Sequence, residues 1–328
     1  MNTEKITNRI ERFKIRLPNN PLKNLNCYVI KGDDRNLLID TGFHLPESFA
    51  DLQEGIRALE VDMRRTDIFL THCHADHTGN AGRIASASGV IYASAVDKTL
   101  TESFVRDHDA LVRYFDACMV RDGFPETERA LSLSTNPAAH NNERALFPIV
   151  AVPEGHSFDL GGVCLHTIST PGHTPGHMCL YIEEDGILFT GDHVLFDITP
   201  NITDWRDMED SLGAYMDSLS KVRSMDVRRA LPAHREGGDF AARTDALIRH
   251  HKARLEETLG VVSNTDGQTC YEVASKMVWR ISVSDWKAFP PAQKFFAVGE
   301  ARSHLRHLVL KGAIRVCSEG DTEYYFRN

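Results

Sequence analysis

Apolar residues in the first 245 positions follow two alternating patterns. Short continuous runs predict buried strands at 27–30, 37–40, 68–71, 90–92, 149–152, 163–169, 178–182, 186–190 and 229–232. Between them, apolar positions recur at helical spacing. Phe49, Leu52, Ile56 and Leu59 predict a helix over 46–60, and weaker patterns predict helices over 79–88 and 209–225. The turn residues Gly32-Asp33-Asp34 and Asp185-Gly186 join strand pairs into hairpins. Residues 95–147 differ: they carry helical periodicity and no strong strand. Strands interleaved with helices and hairpins predict a layered α/β fold.

From about residue 240 the pattern turns helical. Helices are predicted over 240–259, 269–279, 291–296 and 298–311, followed by strands at 313–317 and 323–326 around a polar turn. Helices closed by a hairpin predict a small winged-helix-like module. The expected division is a domain over 1–245, with a helical insert at about 98–147, and a second over 246–328.

Composition narrows the function classes. The 328 residues are 42% hydrophobic and 25% charged, ordinary for a globular chain. The net charge of −9 is uneven: residues 250–328 carry 11 basic against 9 acidic side chains, so the rest holds −11. An acidic body argues against nonspecific coating of nucleic acid. The seven cysteines are scattered, with no CxxC, and read as reduced thiols of a cytoplasmic protein. No run approaches the length of a membrane span, and the N-terminal stretch lacks the apolar core of a signal peptide.

Chemistry concentrates at strand ends. His72-x-His74-x-Asp76-His77 follows the run 68–71 and is expected in the loop at its C-terminal end, where α/β folds place functional groups. His173 follows the strand 163–169 within Thr170-Pro-Gly-His-Thr-Pro-Gly-His177, Asp192 follows 186–190, and His234 follows 229–232. Each of the last three alone is as well explained by a solvated loop residue. Four strand ends with matching donor chemistry are not. Neutral imidazoles and carboxylates suit a borderline divalent cation, zinc first, with iron or manganese also accepted. His72, His74 and His173 can hold one metal, Asp76, His77 and His234 a second, and Asp192 can bridge them. That leaves room for a shared water and predicts metal-assisted hydrolysis by a bridging hydroxide, with Asp76 also a catalytic residue.

These motifs resemble the metallo-β-lactamase superfamily. Its matching residues here are Asp40 in Leu38-Ile-Asp-Thr-Gly42, the His72–His77 motif, Pro171-Gly-His173, Gly191-Asp192 and His234, over about residues 14–245. The resemblance implies a four-layer αββα sandwich with two metals at one edge. The full His72–His77 motif with His173 and Asp192 is more similar to the glyoxalase II and nuclease branches than to true β-lactamases. Ala233 departs from the glycine that relatives carry there. The tail, with Tyr271-Glu-Val-Ala-Ser275, Trp286, Ala297-Val-Gly-Glu300 and His304-Leu-Arg-His-Leu308, resembles the winged-helix domain of the branch that includes the β-lactamase-like endoribonucleases.

Other residues carry weaker expectations. Asp40 is expected to orient the metal loop rather than touch metal. His177 is a candidate proton donor or a loop brace, and Cys73 a poor ligand candidate. His108, His140, His156, His166, His193, His250 and His251 have no motif context and are expected at the surface or as caps. Phe104, Leu111, Tyr114, Phe115, Met119 and Phe124 of the insert are expected to pack its helices and to cover the cleft. Arg302, Arg306, His307 and Lys311 form a basic face that could meet phosphate, a dimer partner or the cleft wall. The expected activity is hydrolysis of a small ester, thioester or lactone. A phosphodiesterase or endoribonuclease is second and a non-catalytic nucleic-acid-binding protein third. Expected partners are the small substrate, nucleic acid as a disfavoured alternative and a second copy in a homodimer, with no membrane.

Overall fold

A computed structural model describes residues 3–136, 145–279 and 285–328. The 137–144 part of the insert, with His140, lies outside the described residues. One sheet has seven strands in sequential spatial order: β1 (Thr3–Lys5), β2 (Ile10–Arg16), β3 (Asn24–Lys31), β4 (Asn36–Ile39), β5 (Thr66–Phe69), β6 (Ile91–Ser94) and β7 (Val150–Val152). The first four pair antiparallel, and β4 to β7 run parallel. The second sheet contains β8 (Ser157–Asp159), β9 (Cys164–Ser169), β10 (Met178–Ile182), β11 (Ile187–Gly191) and β12 (Arg229–Pro232), in the order 12-11-10-9-8. Here β11 and β12 are parallel, so β9, β11 and β12 all end at the same edge.

The continuous apolar runs arise because both faces of the central strands are covered. Along β3 and β4, Tyr28, Ile30, Leu37 and Ile39 point between the sheets to meet Leu180, Ile182, Ile187 and Phe189. Their neighbours Cys27, Val29 and Leu38 point outward onto α1 (Pro46–Ala58), through Leu52 and Ile56. On the far side, Cys179, Tyr181 and Leu188 meet α7 (Ser211–Arg223) through Leu212, Tyr215, Leu219 and Val222. The period of two thus feeds two cores at once. Each large side chain buried there contributes about 1.5–3 kcal/mol. The layers are helix, sheet, sheet, helix, as the α/β reading anticipates.

The segment over 79–88 is shorter than its pattern implies. One-turn helices α2 (Ala75–Thr78) and α3 (Ala81–Ile84) replace it, so Asp76 and His77 sit on a helix rather than in a loop. The insert forms α4 (Ala95–Arg106), α5 (His108–Arg121) and α6 (Glu126–Thr135). The C-terminal region comprises α8 (Phe240–Val261), α9 (Cys270–Lys276), α10 (Pro291–Leu310) and the hairpin β13 (Ile314–Glu319) and β14 (Thr322–Arg327). The two helices expected over 291–311 are one: the break suggested at Ala297 is absent because Ala297, Val298 and Ala301 continue the buried face. α8 runs through the expected 245/246 boundary. Met119 and Phe124 of the insert share a core with Val273, Val298 and Leu305. No helix among the described residues is long and apolar enough to cross a membrane.

Candidate metal centre

Four strand ends and one short helix deliver the donors. Thr71 to His74 follow β5, and α2 adds Asp76 and His77. His173, Asp192 and His234 follow β9, β11 and β12. His72 Nε2 and His173 Nε2 each lie 3.0 Å from His74 Nδ1. His234 Nε2 lies 3.3 Å from Asp76 Oδ2, and His77 Nε2 lies 3.7 Å from the same oxygen. Asp192 stands between the groups. Its Oδ1 is 3.4 Å from His234 Nε2 and 3.8 Å from His77 Nε2, while Oδ2 is 3.6 Å from His173 Nε2. Within the groups His72-His74-His173 and Asp76-His77-His234, donor atoms all lie within 4.8 Å of one another, as they do for His72, His77 and Asp192.

The outer ring nitrogens are engaged by oxygen acceptors. His173 Nδ1 donates to the Asn201 carbonyl (2.8 Å) and His234 Nδ1 to the Asn24 carbonyl (2.9 Å). His77 Nδ1 donates to Asp40 Oδ2 (2.7 Å). The Thr71 hydroxyl donates to Asp40 Oδ2 (2.8 Å), so its oxygen accepts from His72 Nδ1 (3.1 Å). A carbonyl or carboxylate only accepts, so these rings carry a proton on the outer nitrogen and turn Nε2 inward. Asp40 Oδ1 also accepts from Thr71 N–H (2.9 Å). Asp40 therefore lies where an orienting role needs it.

Electrostatics separate the two groups. Burial, followed by neighbouring imidazoles, pushes His72 well below its ordinary range and His173 down to about 4. Burial takes His74 to about 4 against the pull of Asp76. The first group is neutral, as metal donors must be. Burial also opposes charge on His77, yet Asp40, Asp76 and Asp192 outweigh it and raise it to about 10. Asp76 is held well below the carboxylate range: burial works against this, but His77 and His234 prevail. His77 Nε2, His234 Nε2 and Asp192 Oδ1 are buried without a hydrogen-bond partner. Buried orphan atoms cost about 1–3 kcal/mol each. Three such atoms beside excess carboxylate charge fit a divalent cation, and the donor set accommodates two.

A sequence profile described as the metallo-beta-lactamase superfamily matches residues 21–234. The chain belongs to the metallo-beta-lactamase superfamily. It is similar to the lactamase-like protein nscB of Aspergillus fumigatus, 26% identical over 268 residues, covering 79% of this chain and 63% of that protein. It is also similar to the atrochrysone carboxyl ACP thioesterase AgnL7 of Paecilomyces divaricatus, 28% identical over 215 residues, 65% of this chain and 51% of that one. The chain thus spans about half to two thirds of the length of these fungal relatives. A metallo-beta-lactamase family protein from Thermus thermophilus shares the fold, with a TM-score of 0.82, 24% identity and coverage of 99% and 100%.

Other expectations for this superfamily member meet the geometry unevenly. His177 is fully buried. Its Nδ1 pairs with Thr170 Oγ1 (2.8 Å), and its Nε2 accepts from Asp192 N–H (3.2 Å). With both nitrogens engaged, it stands where a brace for Asp192 is needed. Gly191 permits this contact: its φ is +50°, and a Cβ would lie 2.6 Å from His177 Nε2. Burial, then Asp97, pushes the Cys73 thiol well up, away from a ligating thiolate. His193 and His251 are buried, not at the surface. Arg302 is buried in ion pairs with Asp122, Asp204 and Glu323, and His307 pairs with Asp210 (2.9 Å). The expected basic face is thus turned inward at both positions, since leaving such charges unpaired in a core is costly.

Two site residues were not singled out in the sequence. Asp97 accepts from Cys73 N–H (2.9 Å), Gly176 N–H (2.7 Å) and Thr174 Oγ1 (2.6 Å), joining the first histidine loop to the His173 loop. Burial raises it to about 6 against those bonds. Its one local signal is Ser94, three residues earlier, which marks a helix start. Trp205 donates from Nε1 to the His173 carbonyl (3.0 Å) and has no local signal.

A cleft of about 1360 Å³ opens over His74, Asp76, His173 and Asp192. Leu100, Phe104, Tyr114 and Phe115 of the insert face it from one side, and Phe295 and Phe296 of α10 from another. Met119 and Phe124 of the insert also line the cleft and at the same time enter the C-terminal core.

Proposed function

We propose that the protein is a binuclear metal-dependent hydrolase of a small, partly apolar ester, thioester or lactone. The observation that carries this reading is Asp192, with one carboxylate oxygen toward each donor group. Divalent cations in such a centre supply Lewis acidity and an activated water near neutral pH. Zinc suits the nitrogen and oxygen donors first. The chain's own residues do the rest. Asp40, Thr71, Asn24 and Asn201 hold protons on the outer ring nitrogens, so that His77, His72, His234 and His173 present Nε2 inward. Asp192 is set by His177 through its backbone N–H. The aromatic walls exclude water and hold the apolar part of a substrate. The relative named as a carboxyl ACP thioesterase supports the thioester member of the class.

The helices and hairpin after residue 246 are read as winged-helix-like. A phosphodiesterase or endoribonuclease would use the same donors, but has less support because Arg302 and His307 are engaged internally. Seven free cysteines suit a reducing, cytoplasmic compartment. Elemental analysis followed by a panel of thioester, lactone, phosphodiester and RNA substrates tests the proposal. Two ions per chain and turnover of a thioester or lactone are expected. Turnover confined to RNA or phosphodiesters would transfer the reading to the nuclease alternative.

A further inference from the structure

The segment 201–205, between β11 and α7, grips the first donor group from two sides. The Asn201 carbonyl accepts from His173 Nδ1 (2.8 Å), and the Trp205 indole N–H donates to the His173 carbonyl (3.0 Å). His173 is thus fixed at its ring and at its backbone. Trp205 also stacks on His74, with centroids 6.0 Å apart and planes inclined by 27°. Two of the three imidazoles in the first group are therefore set by one short segment. The second group has other supports: Asp40 for His77 and the Asn24 carbonyl for His234.

Residues 201–205 form no helix or strand. Their support comes from one face of α10. Asn201 Nδ2 donates to the Phe296 carbonyl (3.1 Å), Ser303 Oγ donates to the Ile202 carbonyl (2.7 Å), and Arg302 Nε donates to Asp204 Oδ2 (3.1 Å). A Cβ on Gly299 would come 2.8 Å from Thr203 Oγ1, so the helix lies directly against the segment. Four consecutive residues each meet α10, and the fifth meets the donors.

We infer that Trp205 is the positioning residue of the first metal position, and that α10 holds it there through residues 201–204. This rests on the reading of His72, His74 and His173 as metal donors. On it, the C-terminal region is a working part of the metal centre and not an appended unit.

The test uses the full-length, metal-stripped protein, titrated with Zn²⁺ against a chromophoric chelator and with Co²⁺ followed by its visible absorption. The unaltered protein takes up two ions. Trp205→Ala weakens one of them by about 10- to 100-fold, the usual cost of losing a residue that orients a ligand, and leaves the other unchanged. The cobalt band of the weakened class shifts. Trp205→Phe, which keeps a ring for the stack but no N–H, moves the same class less, and Ser303→Ala moves it from a distance. Equal weakening of both ions, or no change in a folded variant, overturns the inference. If Trp205→Ala fails to fold, Trp205→Phe decides alone: a change confined to one class supports the inference, and no change overturns it. Fewer than two ions in the unaltered protein overturns the binuclear reading together with this inference. Two ions indifferent to Trp205 overturn the inference alone.

Discussion

Asp40 sits at φ 60°, a left-handed conformation that costs a non-glycine residue about 1–3 kcal/mol and persists where surroundings impose it. The conformation points its carboxylate at Thr71 N–H, Thr71 Oγ1 and His77 Nδ1 together. Asp40→Asn keeps the size but removes the charge that fixes the His77 proton. Metal affinity is expected to fall about 10- to 100-fold with the fold retained, as measured by chelator competition and thermal melting. Asp192→Ala removes the oxygens shared by both groups and should lower metal content and activity together; full metal stoichiometry in that variant would contradict a bridging aspartate. The seven donors were legible because strand-end position and residue type coincide in sequence. Asp97 and Trp205 were not, since their partners, Cys73, Thr174 and Gly176 for one and His74 and His173 for the other, lie far away along the chain.

At the scale of elements, the strands with two buried faces announce themselves as apolar runs, and β3, β4, β5, β10, β11 and β12 fall close to where the pattern puts them. Two of the elements that were not read, β1 and β8, bury little. β1 is exposed throughout, and β8 buries Phe158 alone. In β2 the period of two is broken where Arg12 is buried, bonded to Glu4 and Glu236. The basic positions of α10 misled for a related reason: sequence shows the charge of Arg302 but not Asp122, Asp204 and Glu323 arriving from three other segments. The insert's role can be measured. Phe104 of α4 faces the cleft and is no donor. Phe104→Ala is expected to raise KM for apolar substrates by about 5- to 150-fold, with metal content unchanged, since a lost apolar contact is worth about 1–3 kcal/mol. Lost metal in that variant would show that α4 supports the centre rather than the substrate.

Across the whole molecule, α8 and α10 are joined by a buried imidazole pair, His251 and His304, and His251 also packs on Tyr215 of α7 with centroids 5.3 Å apart. His304 Nδ1 donates to the Glu300 carbonyl (2.7 Å), leaving Nε2 to accept from His251 Nδ1 (3.2 Å). Burial first, then Arg254, His250 and His307, lowers His304 to about 3 from an ordinary 6.5, against the Glu300 carbonyl. The unfolded chain therefore takes up a proton that the fold refuses. The pair's stability is complete above about pH 6.5 and is lost toward pH 3, at about 1.4 kcal/mol per pH unit for His304 alone. The urea midpoint of the metal-stripped protein should fall between pH 7.5 and pH 5, and less steeply in His304→Gln; equal slopes would clear His304 of the effect. The division of donors between the two sheets has a consequence for biosynthesis. A chain leaving the ribosome presents His72, His74, Asp76 and His77 long before β9, β11 and β12 emerge with the remaining three. On the proposed binuclear reading, the donor set is complete only when β12 joins its sheet. On that reading, loading with metal belongs to the last events of folding, and a truncated chain is expected to lose the ion on dialysis.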